Sequence, residues 1–285
     1  MTTFPRTTWP VSLQDPSGRR GLSGGSAQEQ GAIKAAGRGQ TMVIDKGLGR
    51  HAFSDLIETS GSYIDCIKFG FGTAPLYPTE LLLSKIELAK RHGIVVMPGG
   101  TLLETAVQQG VVPAFFETVC RLGFDGIEVS DGTIDLPRNL RTELIKEGTR
   151  RGLRVVTEYG KKLSGSIVDA DELVSTADAD WYAGAELVTV EARESGVGVG
   201  LFDEKGDCRE DVLETVCRSI GDVSGIMWEA PLKHQQVLLL QTFGPGVHLG
   251  NIPPYEALAL ETMRRGLRSD TFSLGVRDQQ AHYMI

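Results

Sequence analysis

The amino-acid sequence predicts a single-domain (β/α)8 barrel, and three observations predict it. Strand-like and helix-like segments alternate from Thr41 onward, with eight strand candidates in all. Several are near-continuous apolar runs, the pattern of strands buried on both faces of a parallel sheet. Four end on a carboxylate, Glu128, Glu158, Glu191 and Glu229. In a closed parallel barrel all strand C-termini open at one mouth, so these acids would meet there.

The strand candidates are 41–45, 63–69, 94–97, 126–130, 153–158, 186–191, 225–229 and 247–251. Helical segments between them carry start and stop signals. One opens at Pro78-Thr79 and stops at Gly93, with Arg91 and His92 complementing its C-terminal dipole. Thr101-x-x-Glu104 reads as a capping box directly after Pro98-Gly99-Gly100. Another helix runs from near Pro137 to Gly152, with Arg150 and Arg151 in its last turn. An open doubly wound sheet is the alternative, but Asp45-Lys46-Gly47-Leu48-Gly49 after the first strand is no GxGxxG, and no P-loop occurs.

Residues 1–40 are rich in Gly, Ser, Gln and Pro without a hydrophobic period, which predicts a disordered or loosely attached arm. The barrel is assigned to 41–272 and a C-terminal tail to 273–285. A formal net charge of −8 argues against nucleic acid or an anionic membrane as partner. Any anionic substrate must therefore meet a local basic cluster. No segment approaches the roughly 18 apolar residues of a membrane span. Arg19-Arg20 has no apolar stretch behind it, so it is not read as a twin-arginine signal. Cys66, Cys120, Cys208 and Cys217 show no CxxC pairing, and Cys66 and Cys120 lie in apolar patterns that predict buried thiols. A reducing cytoplasm is the expected compartment.

The strand ends place acids and bases alternately on one rim. In chain order they are Asp45 and Lys46; Lys68; Gly99, Gly100 and Thr101; Glu128, Ser130 and Asp131; Glu158, Lys161 and Lys162; Glu191, Arg193, Glu194 and Ser195; Glu229 and Lys233; and Asn251. Charged side chains in central strands are costly unless paired or metal-bound, so four structural glutamates together are a poor reading. Hard oxygen donors with no clustered His or Cys point to Mg²⁺, which takes only one or two carboxylates beside water and substrate. Lys68 or Lys161 could instead form a Schiff base, although nearby acids would hold either one protonated. Pro98-Gly99-Gly100-Thr101, entering a helix, and Gly196-Val197-Gly198-Val199-Gly200 are candidate anion cradles, each with a tight turn as the plainer reading. The loop after the last strand, from Asn251 to Pro254, is a third. Arg264, Arg265 and Arg268 close the last helix, with Glu261 in pairing distance, and are expected on the barrel's outer wall or at a subunit contact. The five histidines are scattered and none is assigned a role.

Motif after motif in the same order, the chain resembles the phosphosulfolactate synthase family. The stretches are Asp45-Lys46-Gly47, Ile67 through Thr73, Pro98 through Leu102, Ile127 through Gly132, Thr157 through Lys162, Glu191 through Gly196, Glu229-Ala230-Pro231, Asn251-Ile252-Pro253 and Leu260 through Phe272. The resemblance implies a (β/α)8 barrel that depends on Mg²⁺ and adds sulfite to phosphoenolpyruvate, giving (2R)-O-phospho-3-sulfolactate. It also implies a homo-oligomer, with a trimer the form it suggests. In methanogens such an enzyme opens coenzyme M biosynthesis; a plant branch is linked to heat-stress tolerance, so a diverged or non-catalytic barrel, or another phosphoenolpyruvate or keto-acid lyase, stands as the alternative. On this reading Glu128, Glu158 and Glu191 are the metal candidates. Lys161 is the first choice of proton donor and Lys68 the second. Lys46, Gly99, Gly100, Thr101, Lys162, Arg193, Ser195, Gly196 and Asn251 are the substrate-binding candidates.

Overall fold

The computed structural model describes residues 9–18, 20 and 38–276. Most of the expected arm and the end of the tail lie outside the described residues. Eight parallel strands form a nearly closed barrel wrapped by helices, in one domain: β1 Thr41–Asp45, β2 Cys66–Phe69, β3 Val95–Pro98, β4 Gly126–Val129, β5 Arg154–Tyr159, β6 Leu187–Val190, β7 Ile226–Glu229 and β8 His248–Ile252. The strand order is β3-β2-β1-β8-β7-β6-β5-β4, with β1 pairing directly with β8. Each of the eight expected strands is present. β2 begins later than 63–69 predicts, because Gly61–Tyr63 closes a 3₁₀ turn first.

Between β3 and β4 no ladder forms. The seam is held instead by Asp125, whose N–H donates to Val96 O at 3.0 Å while its carboxylate accepts from Val96 N at 3.3 Å. This crossover carries two helices, Gly100–Gln108 and Val112–Leu122, where one is usual.

The two-residue period of a strand sorts every side chain inward or outward. Outward positions such as Val43, Ile67, Phe69, Ile127, Val155 and Trp228 pack against the helices. Inward, a small apolar plug of Met42, Cys66, Met97, Leu187 and Met227 fills the barrel. Gly250 belongs to that layer, since a Cβ there would meet Met42 Cε at 2.8 Å. One inward step further along β2, β4, β5 and β7, the inward positions become Lys68, Glu128, Glu158 and Glu229, which line the cavity above the plug. The charged layer is thus the next inward layer of the same barrel.

The floor of the barrel corrects two expectations. Arg264 is fully buried and donates to Pro245 O at 2.6 Å, Val247 O at 2.7 Å and Gln40 O at 3.1 Å, so it seals the start of β1 and β8 and takes no place on an outer wall. Arg265 is buried too, bonding Glu261 at 2.8 Å and Gln14 O at 2.9 Å. Arg20, from the N-terminal segment, reaches the same Glu261 at 2.6 Å with both groups buried. Burial alone would raise the Glu261 pKa, but Arg20, Arg265 and Arg38 outweigh it and hold it below the ordinary value. Its stabilising contribution is therefore present above the unfolded glutamate pKa and is lost as pH falls through the folded one. Replacing Arg20 by Ala should cost about 2 kcal/mol, lowering Tm by about 4–8 °C at neutral pH, with less loss in acid. Calorimetry across pH checks this.

Cys66 is buried as expected, and burial pushes its thiol up to about 12. Cys120 is exposed, because it falls on the outer side of helix Val112–Leu122. Among the described residues no helix is long and apolar enough to cross a membrane.

Candidate active site

A cavity of about 300 Å³ opens at the C-terminal ends of the strands. Its walls carry all four strand-end glutamates, together with Lys68, Lys162 and Arg193. Lys68, on β2, donates to Glu128 at 2.9 Å and Glu229 at 3.1 Å, and stands 3.9 Å from Glu158. Lys162 reaches in from the loop after β5 and bridges Glu158 and Glu191. Glu128 also accepts the Gly100 N–H at 2.7 Å, and Glu229 accepts the Ala192 N–H at 3.0 Å.

Four buried carboxylates face two ammonium groups, so the cluster lacks positive charge. The protonation pattern follows from that shortage. Burial works against the charge on Lys68, but Glu128, Glu229 and Glu158 outweigh it and hold its pKa above the ordinary value. Glu158 and Glu191 do the same for Lys162. Burial also opposes the Glu158 charge, yet Lys162 and Lys68 win and bring it down to about 2. Glu191 goes the other way. Burial raises it, and the charges of Glu158 and Glu229 raise it further, well above the ordinary carboxylate range. Of the two carboxyls that Lys162 bridges, Glu191 is therefore the one that holds a proton more readily and Glu158 the one that stays ionised.

Glu158, Glu191 and Glu229 each place one oxygen within 4.8 Å of the others. Three convergent hard donors in a site short of positive charge fit a small divalent cation such as Mg²⁺. The expected trio included Glu128 where the structure has Glu229. Glu128 and Glu229 each accept from Lys68 and from one backbone N–H, so what separates them is that only Glu229 brings an oxygen close to both Glu158 and Glu191.

The substrate-side expectations divide in the same way. Gly99, Gly100, Thr101, Lys162, Arg193 and Asn251 line the cavity. The Gly99–Gly100 turn is not a free anion cradle, however, because Glu128 already occupies the Gly100 N–H. These glycines serve close packing: a Cβ on Gly99 would lie 2.9 Å from Phe71 N, and one on Gly100 would lie 2.3 Å from Ser130 Oγ. Lys46 and Ser195 are exposed and off the cavity lining. Gly196 lies off it too, its carbonyl held by Gln235 at 2.7 Å. Lys161 also misses the cavity. Its ammonium turns outward to Asp131 O at 2.8 Å, Ile134 O at 3.3 Å and Asp135 at 2.9 Å, beside a separate cavity of about 410 Å³. The loop after β5 thus turns Lys162 into the mouth and Lys161 away from it.

Sequence reasoning did not single out Phe71 or Thr133 as wall residues. Phe71 has a backbone signature. Among the described residues the non-glycine positions with positive φ are Phe71 (57°), Arg193 (62°) and Asn251 (52°), and all three line this cavity. Left-handed backbone is disfavoured for side-chain-bearing residues, and such strain collects where a site demands it. Asn251 Oδ1 is also buried without a hydrogen-bond partner among the described residues. No sequence pattern announces these angles.

A (β/α)8 barrel whose C-terminal mouth gathers convergent carboxylates, lysines and an arginine has the build of an enzyme active site. Comparison with known proteins narrows the class. Residues 30–270 match the family described as (2R)-phospho-3-sulfolactate synthase (ComA). The chain is 42% identical to the phosphosulfolactate synthase of Methanothermobacter thermautotrophicus over 82% of its own length and 91% of the relative's. It is 39% identical to that of Bacillus subtilis over 83% and 93%. Protein HEAT-STRESS-ASSOCIATED 32 of Arabidopsis thaliana is 22% identical over 71% and 76%. Among solved structures, the YdjI aldolase of Escherichia coli K12 superposes with a TM-score of 0.53 at 11% identity, over 88% of this chain and 94% of that one, which shows the shared fold alone. The chain belongs to the (2R)-phospho-3-sulfolactate synthase family of enzymes.

Proposed function

We propose that the mouth adds sulfite to phosphoenolpyruvate with Mg²⁺ bound, forming (2R)-O-phospho-3-sulfolactate. The observation that carries this reading is the Glu158–Glu191–Glu229 cluster with Lys162 set into its edge, in a chain of this family. The sulfur lone pair of sulfite forms the C–S bond at C3. The C2–C3 π pair moves onto the substrate carboxylate, and C2 then takes a proton. When bound, Mg²⁺ held by Glu158, Glu191 and Glu229 supplies electrostatic stabilisation of the charge that develops on that carboxylate.

The chain's own residues do the rest. Lys162 carries the proton for C2, since it faces the cavity and its acidic partners keep it protonated. It releases that proton more readily once the charge on Glu158 and Glu191 is compensated. Lys68 holds Glu128 and Glu229 in place from below. Held protonated by three acids, it is poorly suited to Schiff-base chemistry. Arg193 and the Asn251 carboxamide, at the rim, receive the phosphate and sulfite.

The test is consumption of phosphoenolpyruvate by purified protein with Mg²⁺, with and without sulfite. Consumption only when sulfite is present, with phosphosulfolactate identified by mass spectrometry, is expected. Consumption without sulfite would assign a different lyase, and none in either arm would remove the catalytic reading.

A further inference from the structure

We infer that Glu104, on helix Gly100–Gln108, is a positioning residue that sets Lys162 in the mouth; the inference rests on the reading of that mouth as the active site. Glu104 is buried yet forms no ion pair among the described residues. Its bonds all go to the loop after β4. One oxygen accepts from Ser130 Oγ at 2.5 Å, and the other accepts from Thr133 N at 2.8 Å and Ile134 N at 2.9 Å. The capping box expected from Thr101-x-x-Glu104 does not form, since the N-cap is Gly99 and Glu104 turns away from its own helix start. A buried carboxylate with three donors and no cation is an expensive way to build a wall, unless what it holds needs a fixed position.

What it holds is the seat of both lysines. Gly132 O, in the same loop, accepts the Lys162 N–H at 3.1 Å. Gly132 also lies flush against the Lys162 stem: a Cβ there would come within 2.9 Å of its Cγ and Nζ. On the other side, Asp131 O and Ile134 O anchor Lys161 and draw it outward. Thr133, held by its N–H, is itself part of the cavity wall. Glu104 thus ties the loop across the open β3–β4 seam, and the loop fixes which lysine enters the mouth and where its ammonium sits.

The test uses the full-length protein and two readouts. In Glu104→Ala, kcat should fall on the order of 10²-fold with the KM for phosphoenolpyruvate nearly unchanged, as expected for a displaced catalytic group. Glu104→Gln keeps an oxygen for Thr133 N and Ile134 N and should rescue most of kcat. The second readout needs no turnover: acetylation of lysines by a small reagent, followed by peptide mass spectrometry. In Glu104→Ala the rate at Lys162 should rise at least about tenfold through local loosening, while buried Lys68 stays slow; in Glu104→Gln both should match the parent protein. Unchanged labelling of Lys162 in folded Glu104→Ala would overturn the inference, as would equal gains at Lys162 and Lys68 or failure of Glu104→Gln to rescue. Should Glu104→Ala not fold, Glu104→Asp, whose shorter side chain cannot span both contacts, is read by the same criteria. If the parent protein turned over no substrate, the proposed reaction would fail while the labelling comparison still decided the role of Glu104.

Discussion

Lys162→Met should lower phosphosulfolactate formation by about 10³-fold, whereas Lys161→Met should keep turnover within about threefold of the parent protein. The two residues are neighbours of the same type, so composition and local charge are matched between the variants. They differ in direction. The Lys162 ammonium bridges Glu158 and Glu191 inside the cavity, and the Lys161 ammonium is tied to Asp131, Ile134 and Asp135 outside it. Methionine preserves most of the stem packing, so the loss reports on the charge and its proton. Lys162→Met also removes the cation that keeps Glu158 ionised, and that carboxyl should then titrate well above about 2. Steady-state kinetics on both variants, with circular dichroism to establish folding, decide the matter. A large loss in Lys161→Met with normal turnover in Lys162→Met would return the proton donor to the residue first expected.

Binding of Mg²⁺ should displace a proton at pH values above the ordinary glutamate range, and its apparent affinity should rise as pH rises. The sign follows from Glu191. Its folded pKa lies well above the unfolded value, so over a window above the ordinary glutamate pKa the metal-free protein holds a proton where the cation would bind. Raising pH through the folded pKa removes the competitor and tightens binding, by up to about tenfold per unit for one proton. The same rise removes the stabilisation that the protonated Glu191 contributes, so the metal-free protein should lose Tm across that window and Mg²⁺ should restore it. Glu191→Gln should abolish proton release and weaken Mg²⁺ on the order of 10²-fold; Glu128→Gln should weaken it less than about tenfold. Titration calorimetry in buffers of different ionisation enthalpy measures both quantities. Equal effects in the two variants would return Glu128 to the metal set, and no proton release in the parent protein would reject the assignment at Glu191.

Most of the architecture was legible because strand and helix periods are local properties. The apolar runs around Ile67, Val96, Val188 and Leu249 marked buried parallel strands, and each lies in one. Much of the site was legible for the same reason. A glutamate closing a strand two residues beyond an inward apolar position must enter the mouth, as Glu158 does after Val156 and Glu229 after Met227. The errors fell where a side chain had a choice of partner. Thr101 and Glu104 have the spacing of a cap, but the buried loop after β4 offers Glu104 three donors. Arg264 has the position of a helix-end cation, but carbonyls at the barrel floor claim it.

The sequence by itself determined the barrel, the mouth at which it opens and the acidic and basic residue types that line it. Only the tertiary structure decided that Lys162 and not Lys161 enters, and that Glu229 completes the triad while Glu128 spans the seam. It alone set Phe71, Arg193 and Asn251 in left-handed backbone around the cavity. The physical reason is range. Periodicity is settled among residues a few positions apart in the chain, whereas a buried charge takes its place from partners far away in sequence, and that pairing exists only once the barrel has closed.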